Sequence, residues 1–296
     1  MDEETAHKRL TDFESGFLDD FVRKPGVESY FPLFDEFALS ETELALATFL
    51  MRLDFVGNRV RLELRGYDDE LRRYMQLGEF IRAEFEAASA DAEASGANII
   101  IYTPAVARAE IEETSARMSA ECCAGSAIMM LDDVFQRLRL EVWNDSLKQP
   151  KKSAFRIGRA RDGSTSTLIY AAGNAYRHLR DWGNIVKRDG SCDIESLDKN
   201  VRETVTLLKE GVDLVAVYRN LVCCSVLDVL CGHPERGRSF DNLLENLESA
   251  ALDFASQYCD GEISLERVRK AIDYQSDISS MEISYTNNDV VFDDKR

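Results

Sequence analysis

The stretch that decides the fold runs from Pro104 to Trp143 and reads PAVARAEIEETSARMSAECCAGSAIMMLDDVFQRLRLEVW. Its apolar residues recur at spacings of three and four, the period of one face of a helix. They include Ile128, Leu131, Phe135, Leu138 and Val142. Pro104 suits the first position of a helix, and Thr103 suits the cap before it. The pattern predicts one helix over 104–143, long enough to form a wall of a helical bundle.

Most of the remaining chain also repeats at helical period between turn-forming residues. A helix is predicted to begin at Glu41, because Ser40 and Glu43 have the spacing of a capping box. Further helices are predicted over 68–94, 167–181, 201–230, 240–258 and 265–276. No internal repeat of a length typical of solenoids occurs. The fold class predicted is therefore mainly α, a helical bundle.

One short segment has a different pattern. Arg52 to Leu64 reads RLDFVGNRVRLEL, in which Val60, Leu62 and Leu64 alternate after Gly57-Asn58. Alternation next to an Asn-Gly type of turn is typical of a β-hairpin, so we predict a small β-hairpin in the N-terminal part. The segment 97–102 (ANIIIY) fits either a buried strand or the apolar start of a helix, and its periodicity does not distinguish the two.

The chain is predicted to divide at its breaker-rich segments. Residues 1–95 are predicted to form an N-terminal accessory region, 104–275 the bundle, and 277–296 a flexible polar tail. The segment 144–166 contains Pro150, Gly158 and Gly163 among many polar residues, so it is the best candidate for a connector. Whether the N-terminal region is a sensor or part of the same core is left open by the sequence.

Composition excludes several classes of protein. The chain has 296 residues, of which 45% are hydrophobic, and a net charge of −18, so it is hydrophobic enough to fold. No stretch reaches the roughly 20 apolar residues of a membrane helix, since the longest candidate, 212–231, is interrupted by charged residues, and the N-terminus lacks the features of a signal peptide. We therefore predict a cytoplasmic protein with no membrane partner. The seven cysteines are odd in number and mostly lie in apolar runs, as expected of reduced core residues.

The basic residues are unevenly distributed. Residues 148–188, here called the basic strip, contain ten basic and two acidic residues, a net charge of +8 that leaves −26 for the rest of the chain. Such a strip attracts phosphate or another acidic surface locally, while the remaining charge repels nucleic acid in general. A second possibility is that the strip docks against acidic helices of the same chain or of a second copy. Net charge alone does not separate these partners.

A polar block lies inside the basic strip. On a helix, Asn174, His178 and Trp182 share one face because they are four residues apart. Histidine titrates nearest neutral pH and is a natural proton carrier, and Arg177 or Arg180 could stabilise charge on a phosphoryl group. The structural alternative is a polar helix face in which His178 and Asn174 make interhelical hydrogen bonds and Trp182 is a core residue.

The block Gly173-Asn174-Ala175-Tyr176-Arg177-His178, followed by Asp181-Trp182, resembles the motif helix of HEPN-superfamily proteins. It is similar in particular to bacterial helical proteins in which an Asn-aromatic-basic-His block ends in acid-Trp, some of them associated with abortive infection and phage defence. HEPN proteins are helical bundles, often dimeric, and many are metal-independent ribonucleases of toxin and defence systems. Asn174 and His178 match their motif, whereas Gly173 stands where the family has its arginine.

The resemblance implies two functions. In the first, the chain is a defence or toxin-type RNA endonuclease without metal or cofactor: His178 is the acid/base, Asn174 orients the phosphate, and Arg177 or Arg180 stabilises its charge. Predicted substrate-binding residues are Lys151, Lys152, Arg156, Arg159, Arg161 and Trp182. In the second, the chain is a non-catalytic HEPN-like interaction protein whose basic strip binds RNA, a nucleotide or an acidic protein partner. Either protein would be a homo-oligomer by analogy.

Other chemical motifs are not supported. Cys223, Cys224, Cys231 and His233 lack the Cys-x-x-Cys spacing of a zinc site, so the cysteines are predicted to be structural. The acidic pairs Glu112-Glu113 and Asp132-Asp133 lack the Glu-x-x-His motif of di-metal bundles and are predicted to lie on solvated faces. The motifs of P-loop NTPases, Rossmann dehydrogenases, zincins and α/β-hydrolases do not occur.

Overall fold

The computed structural model describes residues 37, 39–96, 103–143, 165–178, 185–232, 239–256 and 263–274. Within these ranges all regular elements are helices and no strand occurs. The helices are α1 (Glu41–Ser95), α2 (Pro104–Trp143), α3 (Thr165–Arg177), α4 (Lys199–Gly211), α5 (Val215–Tyr218), α6 (Val222–Cys231), α7 (Phe240–Ser256) and α8 (265–274), with a 3₁₀ turn at Ile194–Ser196. The prediction of a mainly α fold is confirmed.

The predicted β-hairpin over 52–64 is wrong, because this segment lies within α1. Burial explains the error. Val60 and Leu64 are buried, whereas Leu62 between them is 56% exposed. In a strand all three would face the same side, but in a helix only residues three or four apart do. Val60 and Leu64 therefore belong to a buried stripe along the helix. Gly57, which was predicted to lie in the turn of the hairpin, belongs to the same stripe.

Helix α1 carries this stripe along its whole length. One set of its buried residues follows heptad spacing up to Tyr67, and the same spacing continues through partly exposed residues to Ala92. The stripe consists of Leu46, Leu50, Leu53, Gly57, Val60, Leu64, Tyr67, Leu71, Tyr74, Gly78, Ile81, Phe85, Ala88 and Ala92. Two residues of the stripe contact α6 and α7. Tyr67 Oη donates to Asp228 Oδ1 at 2.7 Å, and a Cβ placed on Gly57 would lie 3.8 Å from the Phe240 ring.

Helix α2 runs antiparallel to α1 along a neighbouring face. The rings of Phe49 and Phe135 lie 5.0 Å apart. Further along, a Cβ placed on Gly66 would lie 3.0 Å from Cys123 Sγ. Towards the far end, Arg73 Nη2 is 3.4 Å from Glu112 Oε2. As the residue number rises on α1 it falls on α2, so the two helices form a long hairpin.

The sequence signals for helix starts are confirmed at α1 and α2. Ser40 N donates to Glu43 Oε2 at 3.0 Å, and Glu43 N donates to Ser40 Oγ at 3.2 Å, which completes the predicted capping box. At α2, Val106 N donates to Thr103 Oγ1 at 3.2 Å. Each cap satisfies amide groups that have no partner within the helix.

The single helix predicted over 201–230 is wrong, since the chain breaks there into α4, α5 and α6. The first break follows Gly211, where Val212 is extended and Asp213 Oδ1 accepts from Val215 N at 2.9 Å. The second occurs at Asn220, whose φ of 54° is left-handed. Asparagine adopts this conformation more readily than most residues, and it ends α5 one turn before α6 begins.

The chain divides into two compact units, residues 1–47 with 263–296 and residues 48–262. In the first unit, α8 is held by Glu43, which is buried: its carboxylate accepts from Ser264 N at 3.1 Å and from the Arg267 guanidinium. In the second unit, α3 packs against α2, α4, α6 and α7. The small buried residues of α2 and α3 let these helices approach closely, and they include Ala116, Ala120, Ala124, Ala127, Ala171, Ala172 and Ala175.

Candidate functional site on the motif helix

Helix α3 carries the motif block and lies in the interior of the second unit. Ala171, Ala172, Gly173 and Ala175 are all buried. The helix ends at Arg177, and His178 follows in a turn whose amide donates to Ala175 O at 3.2 Å. The predicted helix over 167–181 is thus confirmed up to Arg177, while residues 179–184 lie outside the described part of the chain.

Asn174 makes an interhelical hydrogen bond. Its Nδ2 donates to Thr204 Oγ1 on α4 at 2.7 Å, and Thr204 Oγ1 donates in turn to Asn200 O at 3.0 Å. Thr204 is buried. Because a buried hydroxyl that loses its partner costs stability, this pair fixes the Asn174 amide between two helices. The contact matches the structural alternative for Asn174 considered from the sequence.

Arg177 pairs with a buried acid. Its Nη2 lies 3.0 Å from Asp132 Oδ2 on α2, and the Asp132 side chain is only 1% exposed. Gln136 Nε2 lies 3.5 Å from the same oxygen. Removing the arginine from such a pair leaves a buried charge without compensation, which typically costs about 3–5 kcal/mol. The guanidinium proposed to stabilise a phosphoryl group is therefore held by the protein's own carboxylate.

Asp132 was predicted to lie on a solvated face, and this is wrong. Its neighbour Asp133 does fit that prediction, since its side chain is 48% exposed and pairs with Arg137. Asp132 instead falls on the face of α2 that also buries Ile128 and Phe135. A signal was present in the sequence, because Asp132 stands four residues after Ile128, on the apolar face of the predicted helix.

Tyr176 packs over a glycine of the neighbouring helix. A Cβ at Gly125 on α2 would overlap the Tyr176 ring, so only glycine leaves room for it. Burial raises the pKa of the Tyr176 hydroxyl, and the nearby Cys122 adds to this effect. The phenol is thus a neutral packing group. Tyr176 and Gly125 form a fitted contact between α3 and α2.

Gly173, at the family's arginine position, has a different environment. A Cβ there would lie 3.6 Å from Met129 Sδ and 3.7 Å from both Asp132 Oδ2 and Ile128 Cγ2, which are ordinary contact distances. A methyl group fits, but the space beyond it is lined by α2. The glycine therefore marks close packing of α3 on α2, and it provides no basic group.

Alanine substitutions at Gly173 and Gly125 are expected to change stability in opposite directions. Gly173→Ala is expected to raise the free energy of unfolding by about 0.5–1 kcal/mol, since alanine is the better helix former and the methyl fits. Gly125→Ala is expected to lower it by about 1–3 kcal/mol, because the gain in propensity is outweighed by overlap with Tyr176. Urea denaturation of the two variants checks this, with circular dichroism to verify helix content. Equal effects of the two changes would contradict the described packing.

Two motif side chains are exposed at the end of α3. They are His178 and Arg177, whose side chain is 41% exposed although it pairs with Asp132. The other predicted site residues, Lys151, Lys152, Arg156, Arg159, Arg161, Arg180 and Trp182, lie outside the described residues. Among the described site residues, Asn174 contacts Thr204 on α4 and Arg177 contacts Asp132 on α2.

A second buried polar contact was missed by the sequence analysis. Glu121 on α2 is 3% exposed and accepts from Cys223 N at 2.8 Å and Cys224 N at 3.1 Å. These amides belong to the first turn of α6, which lacks a side-chain cap of its own. Glu121 therefore caps α6 from another helix. No local spacing signals such a cap, since it joins residues about a hundred positions apart.

The cysteines behave largely as predicted. Cys223, Cys224 and Cys231 are buried, while Cys122 is exposed. Burial raises the pKa of the Cys223 thiol well above its usual value, and the neighbouring Glu121 carboxylate adds to this. Cys223 is thus a neutral core residue. Among the residues that the structure describes, no group of three or more His, Cys, Asp or Glu side chains could hold a metal ion.

In the described part of the chain, none of the helices has the length and apolar content needed to cross a membrane. Protein-family models, curated proteins and solved structures give no match to this chain.

Proposed function

We propose that the chain is a non-catalytic, HEPN-like helical interaction protein that binds an acidic partner through its basic strip. The observation that carries this proposal is the pairing of Arg177 with buried Asp132. In a ribonuclease of this type, an arginine must reach the scissile phosphate. The family position holds Gly173, and the nearest replacement in the motif is engaged with its own protein.

The packing of Asn174 supports the same conclusion. Its amide is directed to Thr204 on α4, so it stabilises the bundle and does not orient a phosphate. The motif helix thus serves as an internal element that joins α2 and α4. The net charge of +8 over residues 148–188 then remains as the feature that selects a partner.

Charge reversal in the strip tests this function. We expect Lys151→Glu/Lys152→Glu/Arg159→Glu to weaken binding of a labelled single-stranded RNA and of polyglutamate at least about tenfold at low salt, because the attraction is electrostatic. Fluorescence anisotropy at increasing NaCl concentrations provides the measurement. The two polyanions are compared at equal charge. Tighter binding of RNA indicates a nucleic-acid partner, and tighter binding of polyglutamate indicates an acidic protein.

The matched control changes three exposed basic residues outside the strip, Arg108→Glu/Lys199→Glu/Lys209→Glu. It alters the net charge equally, so any effect of overall charge appears in both variants. Equal loss of binding in the two variants, or binding of the wild type that does not depend on salt, would refute a role for the strip. His178→Ala is expected to bind both polyanions like the wild type.

The exposure of His178 favours one second candidate, a metal-independent ribonuclease. In that case His178 acts as the acid/base, and Arg177 has to leave Asp132 or be replaced by Arg180 or an arginine of 156–161. Its signature is RNA cleavage that persists in EDTA and depends on His178.

A further inference from the structure

We draw no further inference here: the strongest candidate, the exposed surface patch on α2 that carries Ile111 and Met118, is an apolar helix face, and nothing in the described part of the chain shows what covers it.

Discussion

Replacing Glu121 by alanine is expected to lower the free energy of unfolding by about 3–5 kcal/mol. The Glu121 carboxylate is the cap of α6, because it accepts from the amides of Cys223 and Cys224. Alanine would leave both amides without an acceptor in the core and would also open a cavity between α2 and α6. The penalties for two unsatisfied donors and for the cavity add up to one of the largest single-residue effects expected in this chain.

Chemical denaturation of Glu121→Ala and of Glu112→Ala measures this effect. Glu112 lies on the same helix with its side chain 46% exposed, and its pairing with Arg73 is a surface contact. Its removal is expected to cost less than about 1 kcal/mol. Similar losses for the two variants would show that Glu121 does not cap α6.

The stability contributed by Glu121 depends on pH in a defined direction. Burial raises its pKa above the usual value of 4.5, although the hydrogen bonds from Cys223 and Cys224 oppose this shift. The folded protein then holds the proton more tightly than the unfolded chain does, so this contribution is lost as pH rises above 4.5 towards the folded pKa. The advantage of the wild type over Glu121→Gln is expected to shrink as pH increases.

Replacing Glu43 by alanine is expected to release α8 and to cost about 2–4 kcal/mol within the first unit. Glu43 is buried, and its carboxylate accepts from Ser40 N, from Ser264 N and from the Arg267 guanidinium. It therefore caps α1 and fixes the start of α8 at the same time. Loss of the carboxylate leaves these donors without an acceptor.

Hydrogen exchange of residues 263–274 is the direct measurement, since it reports local opening of α8. Glu43→Ala is expected to raise exchange throughout this segment and to leave α3 and α6 protected. Glu266→Ala serves as the control, because Glu266 is exposed and pairs only with Lys270 among the contacts described. Unchanged protection of α8 in Glu43→Ala would show that the carboxylate is not its anchor.

Glu43 has the opposite pH dependence to Glu121. Burial alone raises its pKa, but the hydrogen bond from Arg267 and those from Ser40 and Ser264 outweigh it, and the pKa is lowered. The stability that it contributes is therefore fully present above the usual pKa of 4.5 and is lost as the solution becomes more acidic. The advantage of the wild type over Glu43→Gln is expected to decrease towards low pH.

The helices were predictable from sequence because their signals are local. Periodicity over 104–143, the Thr103 cap and the Ser40–Glu43 capping box all report on residues within one or two turns. The β-hairpin was predicted wrongly because Val60, Leu62 and Leu64 satisfy a short strand pattern. The longer heptad stripe of α1 includes Val60 and Leu64 but not Leu62, and this longer pattern is the one that indicates a helix.

The polar contacts of the candidate site were less predictable, because they join distant parts of the chain. Asp132 could have been placed in the interior from its position beside Ile128, but its pairing with Arg177 depends on how α2 and α3 pack. The bond from Asn174 to Thr204 likewise requires α4 to lie beside α3. The motif block drew attention to Asn174 and Arg177, but it gave no indication of their partners on α4 and α2.

The central claim, that the motif helix is a packed structural element without a catalytic arginine, is tested most directly by an RNA cleavage assay. Purified wild type and His178→Ala are incubated with total RNA and with tRNA in EDTA, and the products are compared with a protein-free control. We predict no cleavage above the control by either protein. Cleavage by the wild type that is lost in His178→Ala would contradict the claim and would establish the ribonuclease.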